Sequence, residues 1–177
     1  IIIKGGKALS FSKKTIREWD IAGKRIRLRA DYNFRVEKGR ITDNYRIKQS
    51  LPTIDYILQQ PGTSLVIISH LGRPEGKPNP DYSLFPVAKE LTGLTKAPVQ
   101  FATDCVGDDA KKVCDALKPG EIAILENVRF HPEEEKNDED FARAIIAASG
   151  AQVFVQDGFG VVHRAHATTD AIARQNI

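Results

Sequence analysis

Five short segments rich in Val and Ile, separated by stretches whose apolar residues recur with helical period, constrain this chain more than any other feature. The candidate strands are RIRLRA (25–30), SLVIIS (64–69), PVQFA (98–102), EIAILE (121–126) and AQVFVQ (151–156). Four helical patterns accompany them. The first starts at Arg46 and puts Ile47, Leu51, Ile54, Ile57 and Leu58 on one face, with Pro52 as a first-turn or kink residue. The second spans 83–93, with Ser83 as cap and Gly93 as stop, and the third spans 107–120, closed by Lys118, Pro119 and Gly120. The fourth spans 137–150, between a cap at Asn137 and a stop at Gly150. Strand and helix in alternation argue for an α/β fold, a mainly parallel sheet covered by helices on both faces.

Size fits that reading, because 177 residues with 41% hydrophobic content suit one domain over residues 1–177. With no methionine in the sequence, the recorded start is not expected to be the biological one, and residues 1–10 are expected to be poorly defined. A net charge of only +3 implies no general affinity for nucleic acid or acidic membranes. Cys105 and Cys114 form no CxxC pattern and have no companion His nearby in sequence, so two reduced thiols are expected, which points to the cytoplasm. No apolar run is long enough for a membrane span, and the opening IIIKGG is too short for a signal peptide.

Parallel sheets gather ligands outside the carboxyl ends of their strands. Four of the five strand exits carry chemistry: DYNFR after the first, HLGRP after the second, NVRFH after the fourth and DGFGVVHRAH after the fifth. Arg73, Arg129 and Arg164 on these exits, with Arg46 at the first helix, would set several guanidinium groups around one concave site. Arginine keeps its charge and offers a planar fork of donors matched to phosphate and carboxylate, so the implied ligand is a small polyanion. Asp31 and Asn33 could meet a hydroxyl of that ligand, and Asp31 could also hold an arginine. His70, His163 and His166 would add donors. A lone arginine at a strand end is more often a surface group; four converging by chance is much rarer. HRAH lacks a carboxylate partner of clear geometry, so hydrogen bonding or phosphate contact is preferred there and no metal site is expected. The run Glu133, Glu134, Glu135 reads as a solvated loop. The glycines of DGFG fit a tight turn beside a ligand, whereas neither GxxxxGK[ST], GxGxxG nor GxSxG occurs.

These motifs resemble one family closely, phosphoglycerate kinase, and within it the N-terminal domain. RADYNF is similar to its strand-end motif, ITDNYRI to its arginine-bearing helix start, and SHLGRP to its signature. ENVRFHPEEEKND and DGFGVVHRAHATT continue the match in the same order, over roughly residues 14–174. The resemblance implies a Rossmann-like three-layer sandwich that binds 3-phosphoglycerate or 1,3-bisphosphoglycerate. It implies substrate contacts at Asp31, Asn33, Arg46, His70, Leu71, Gly72, Arg73, Arg129 and Arg164, with His163 and Gly160 in support.

The implied reaction is a step of glycolysis that moves a phosphoryl group between 1,3-bisphosphoglycerate and ADP, giving 3-phosphoglycerate and ATP. Arg46 would stabilise the transferring group, since phosphoryl transfer needs alignment and charge neutralisation more than a covalent catalyst. The Mg-ATP or Mg-ADP would sit mainly on a C-terminal domain absent from this sequence. The fragment is therefore expected to bind 3-phosphoglycerate as a monomer without turning over, with neither nucleic acid nor membrane as a partner. Departures from the resembled pattern are Tyr32 for Phe, Arg35 for Pro, Gln156 for Asn and Gly158 for Ala. A stand-alone anion-binding or regulatory module is the alternative, and would take many phosphorylated metabolites alike.

Overall fold

The computed structural model describes residues 15–34, 36–37 and 40–175. Arg35 and the expectation for residues 1–10 lie outside them. In chain order the elements are β1 (Arg25–Arg29), the antiparallel pair β2 (Val36–Glu37) and β3 (Arg40–Ile41), α1 (Tyr45–Gln59) and β4 (Ser64–Ile68). Then come α2 (Phe85–Leu94), β5 (Val99–Phe101), α3 (Gly107–Asp115), β6 (Ile122–Ile124), α4 (Glu139–Ser149), β7 (Val153–Gln156) and α5 (Ile172–Arg174), with short 3-10 and π turns between them. Five strands form one sheet in the order β5-β6-β4-β1-β7, every neighbouring pair parallel.

Because strand side chains alternate, each strand feeds two cores. Ile26, Leu28, Leu65, Ile67, Ile122, Ile124, Val153 and Val155 pack under α1 and α2, through Ile47, Ile54, Ile57, Val87 and Leu91. Val66, Ile68, Ala123, Leu125 and Phe154 pack on the other face, against Cys114, Phe141, Ile145 and the 167–173 segment. The architecture is a three-layer α/β sandwich. The helices after β1 and β4 cover one face and the segments after β6 and β7 the other. Crevices therefore open between β4 and β6 and between β1 and β7, where neighbouring chains part to opposite sides.

Sequence periodicity places the elements and misses several ends. Gly93 does not stop α2: Leu94 packs onto the core, and the Thr95 N–H still reaches the Leu91 carbonyl. The cap of α4 is Asp138, which accepts from the Phe141 N–H at 2.8 Å, rather than Asn137, whose side chain instead holds Asp170 and the Ala171 N–H. Pro52 lies exposed in the middle of α1 rather than in its first turn. Residues 118–120 form a turn beyond α3, the Gly120 N–H donating to Thr63, while Ser83 accepts from the Phe85 N–H that opens α2. Both cysteines are free and buried. Among the described residues no helix is long and apolar enough to cross a membrane.

Buried arginines in β1 break the apolar rule. Arg27 is fully buried, gives one hydrogen bond to Ser149 Oγ (2.9 Å) and lies over the Phe154 ring at 5.6 Å. Its Nε and Nη2 have no hydrogen-bond partner among the described residues, and burial pulls its pKa down to about 10. A buried charge left largely unpaired costs more than an apolar side chain of similar length. Arg27→Met is therefore expected to stabilise the fold by about 1 kcal/mol or more. The unfolding midpoint in urea should rise; a fall would show that the Ser149 and Phe154 contacts outweigh the desolvation.

Candidate functional site

The exits of β1, β4, β6 and β7 share one edge of the sheet, and between them lies a cavity of about 230 Å³. Its walls include Asp31, Asn33, Arg46, His70, Gly72, Arg73, Arg129, Gly160 and Arg164. The fold thus brings together nine of the sequence-predicted residues from segments up to 133 positions apart. Three others, Leu71, His163 and His166, are placed elsewhere. Leu71 is buried in the apolar core and reaches its neighbours through its carbonyl, which accepts from Asn127 Nδ2 at 2.7 Å. His163 is exposed and does not line the cavity.

Several wall residues are fixed by specific contacts. Arg46, projecting from the first turn of α1, forms an ion pair with Asp31. Asn33 accepts from the Gly72 N–H (2.9 Å), and Arg129 Nη1 donates to the Gly72 carbonyl (2.8 Å), so the β4 exit is held from both sides. Gly72 has φ +63°, and a Cβ there would overlap the Tyr82 ring. Gly160 is required for a different reason, because a Cβ would collide with the Asp31 carboxylate that holds Arg46. Arg129 is nearly buried, its charge balanced by Glu135 at 3.5 Å, and burial lowers its pKa. No hydrogen bond or ion pair among the described residues occupies the guanidinium groups of Arg73 and Arg164. Four arginines face one carboxylate here, so the cavity is strongly positive.

Behind the wall lies a buried relay that the strand-exit residues do not reveal. Arg29 is fully buried at the end of β1; it donates from Nε to Thr168 Oγ1 (2.9 Å), from Nη1 to the Ala30 carbonyl (2.5 Å) and from Nη2 to His70 Nδ1 (3.0 Å). A guanidinium cannot accept, so His70 Nδ1 is the acceptor and the ring proton sits on Nε2, the nitrogen left to face the cavity. Thr168 Oγ1 donates in turn to Glu134 (2.6 Å), whose carboxylate also takes the Thr168 N–H at 3.0 Å. Glu134 is thus no part of a solvated loop. It is fully buried, burial raises its pKa against the opposing pull of Arg29 and Thr168, and it supplies the negative charge that Arg29 needs. Its Oε1 lies 4.0 Å from His166, which backs the relay rather than lining the cavity. The available sequence signal was three arginines at alternate positions of a strand between apolar strands: one face of a covered sheet must bury them, and buried arginines need partners.

The phosphoglycerate kinase family model matches residues 16–176. The chain belongs to the phosphoglycerate kinase family. It is 49% identical over 162 residues to phosphoglycerate kinase of Moorella thermoacetica and 48% identical to that of Pelotomaculum thermopropionicum, each alignment covering 92% of this chain and 40% of the relative. The solved phosphoglycerate kinases of Coxiella burnetii and Pyrococcus horikoshii superpose with TM-scores of 0.72 and 0.73 at 34% and 32% identity. They are matched over 87% and 85% of this chain and 37% and 38% of their own. The chain therefore spans about 40% of the length of the curated phosphoglycerate kinases it matches.

Departures from the resembled pattern have local partners. The Tyr32 hydroxyl is fully buried against Ser50 Oγ at 2.9 Å, which satisfies the group that Phe would lack. Gln156 reaches forward to accept from the Gly158 N–H (3.0 Å), and a Cβ on Gly158 would press within 3.0 Å of that amide oxygen. The longer side chain and the smaller neighbour thus go together. The loop then turns back through Val161 and Val162 N–H bonds to the Gly158 carbonyl.

His70 gives the site a pH signature. Burial, followed by the charges of Arg29, Arg129, His166 and Arg164, holds its imidazole far below the ordinary value of 6.5. The folded chain keeps His70 neutral where the unfolded chain protonates it, so stability is intact above that value and declines as pH falls below it. The expected slope is about 1.4 kcal/mol per pH unit in urea unfolding between about pH 6 and 5. His70→Gln should remove most of that slope, leaving a smaller one in the same direction from His166, whose pKa is also lowered by burial. An unchanged slope in the variant would place the titration elsewhere.

Proposed function

We propose that this chain is the 3-phosphoglycerate-binding part of a phosphoglycerate kinase, which passes a phosphoryl group between 1,3-bisphosphoglycerate and ADP. The observation that carries the reading is the convergence of Arg46, Arg73, Arg129 and Arg164 with the neutral His70 on one small cavity. At about 230 Å³ it lies below the roughly 300 Å³ floor of pockets for drug-sized ligands, which favours a compact metabolite over a nucleotide. Arg73, Arg129 and Arg164 bind the non-reacting phosphate, and His70 Nε2–H donates to an oxygen of the same ligand. Asp31 and Asn33 meet the hydroxyl and carboxylate end.

Arg46 plays a separate part. Its side chain is about half exposed and tethered by Asp31, at the border between this cavity and an adjoining one of about 490 Å³ that shares Asp31, Arg46 and Gly160. Tyr45 and Phe159, 61% and 88% exposed, flank that second cavity. A guanidinium on this border neutralises charge on the phosphoryl group as it passes to a nucleotide held by the remainder of the enzyme. Closure of a second surface over the exposed aromatics excludes water from the transfer. The magnesium nucleotide is the second substrate and is bound outside this chain, so the chain alone binds 3-phosphoglycerate and does not turn over.

Calorimetric titration tests this. 3-Phosphoglycerate is expected to bind while Mg-ATP does not, and Arg73→Ala should weaken binding roughly 10- to 100-fold, the range for one lost charged hydrogen bond. Arg46→Ala should weaken it less, because its main partner is the transferring group. No binding to the folded chain, equal binding of unrelated phosphorylated metabolites, or ATP-dependent turnover by the chain alone would each overturn the reading.

A further inference from the structure

On the far side of the β6 exit loop, the fold assembles a second group of side chains that the phosphotransfer site does not use. Asp104 and Cys105 precede α3, and His131 follows the 3-10 turn Val128–Phe130. A carboxylate oxygen, the Cys105 sulfur and a His131 ring nitrogen all lie within 4.8 Å of one another. Sequence spacing hides this group, because His131 is 26 positions along the chain from Cys105.

The three donors differ in chemistry and are held separately. His131 Nε2 meets Asp104 Oδ1 at 2.7 Å, and its ring packs on Phe141 with centroids 5.1 Å apart, which fixes its orientation. Asp104 is anchored by the Cys105 N–H at 2.6 Å. Cys105 is fully buried in the core. On the open side, Asp104 and His131 line a cavity of about 680 Å³ that also reaches Thr103 and Phe130, giving an entry path and room for solvent. One sulfur, one imidazole nitrogen and one carboxylate, with an open fourth position, form a donor set suited to a tetrahedral borderline-soft cation.

We propose that Asp104, Cys105 and His131 bind a zinc-class divalent cation, with water from the adjoining cavity as fourth ligand. Tetrahedral zinc sets donor atoms about 3.5 Å apart, so loading parts the 2.7 Å Asp104–His131 hydrogen bond by about 1 Å or less. The thiol binds as thiolate, releasing one proton to solvent. The ion would tie the turn before α3 to the loop after β6, at a place independent of the arginine cavity.

Cobalt(II) tests it in the whole chain, since cobalt reports a bound thiolate by a charge-transfer band in the near ultraviolet. Wild type is expected to show the band, and zinc should raise the thermal midpoint and displace the cobalt. Cys105→Ala should abolish the band and Cys114→Ala should retain it. His131→Gln, at a partly exposed residue that the fold tolerates more readily, should weaken cobalt binding at least roughly tenfold, which keeps the test decisive if Cys105→Ala fails to fold. No band in wild type, or a band that survives in His131→Gln at undiminished affinity, would overturn the proposal and leave the cluster as a structural hydrogen bond.

Discussion

The guanidinium of Arg29 is the group on which the site depends. It is buried among the ends of four strands, where an unpaired charge would cost several kcal/mol. Each of its nitrogens is bonded, to Thr168, to the Ala30 carbonyl and to His70. Thr168 and the Ala167 N–H are tied to Glu134, so satisfying one arginine fixes the β6 exit, the β7 exit and the imidazole of the β4 exit relative to one another. The same contact sets the tautomer of His70 and so decides that a donor faces the cavity. Local shape and local chemistry here have one cause.

Sheet order explains why such a relay can form. β1 lies between β4 and β7, and β6 lies beyond β4, so the loops that follow these strands are spatial neighbours despite their separation in sequence. The segments that leave β1 and β4 pass over one face and those that leave β6 and β7 over the other, which leaves two crevices instead of a covered edge. His70 and Arg129 stand over one crevice, Asp31 and Arg164 over the other. Gly160 then closes the distance between the crevices, because only a residue without Cβ allows its backbone so near Asp31.

Sheet class and cavity lining were legible for a shared reason. Strands covered on both faces read as apolar runs, and the polar residues directly after them have little to do except line an edge. What the pattern hid were roles set by partners distant in sequence. Glu134 reads as one member of an acidic run, and nothing in EEE separates the residue that turns inward from the two that do not. Leu71 belongs to the SHLGRP signature yet serves the core, since the motif is matched as a string while side chains alternate in direction. Helix ends shifted for smaller reasons, as where Leu94 carries α2 past Gly93 to reach apolar neighbours.

The arginines differ in how far each has already left water, and this bears on how the proposed anion would be held. Arg29 is fully buried, Arg129 nearly so, Arg46 half exposed with a carboxylate partner, and Arg73 and Arg164 exposed. An anion that enters the cavity meets Arg129 and His70 already desolvated and fixed by Gly72 and Arg29, so little ordering cost remains at that end. Arg73 and Arg164, both exposed, would still have to be ordered and partly dehydrated on closing on the proposed ligand. For the proposed ligand, the buried end would select by geometry and the exposed end would contribute the charge that draws it in. Because burial lowers the pKa of both Arg29 and Arg129 while each remains a cation at neutral pH, the site holds positive charge in a poorly solvated place. An anion bound there as proposed would add to the compensation that Glu135 already gives Arg129, at a guanidinium that solvent reaches little.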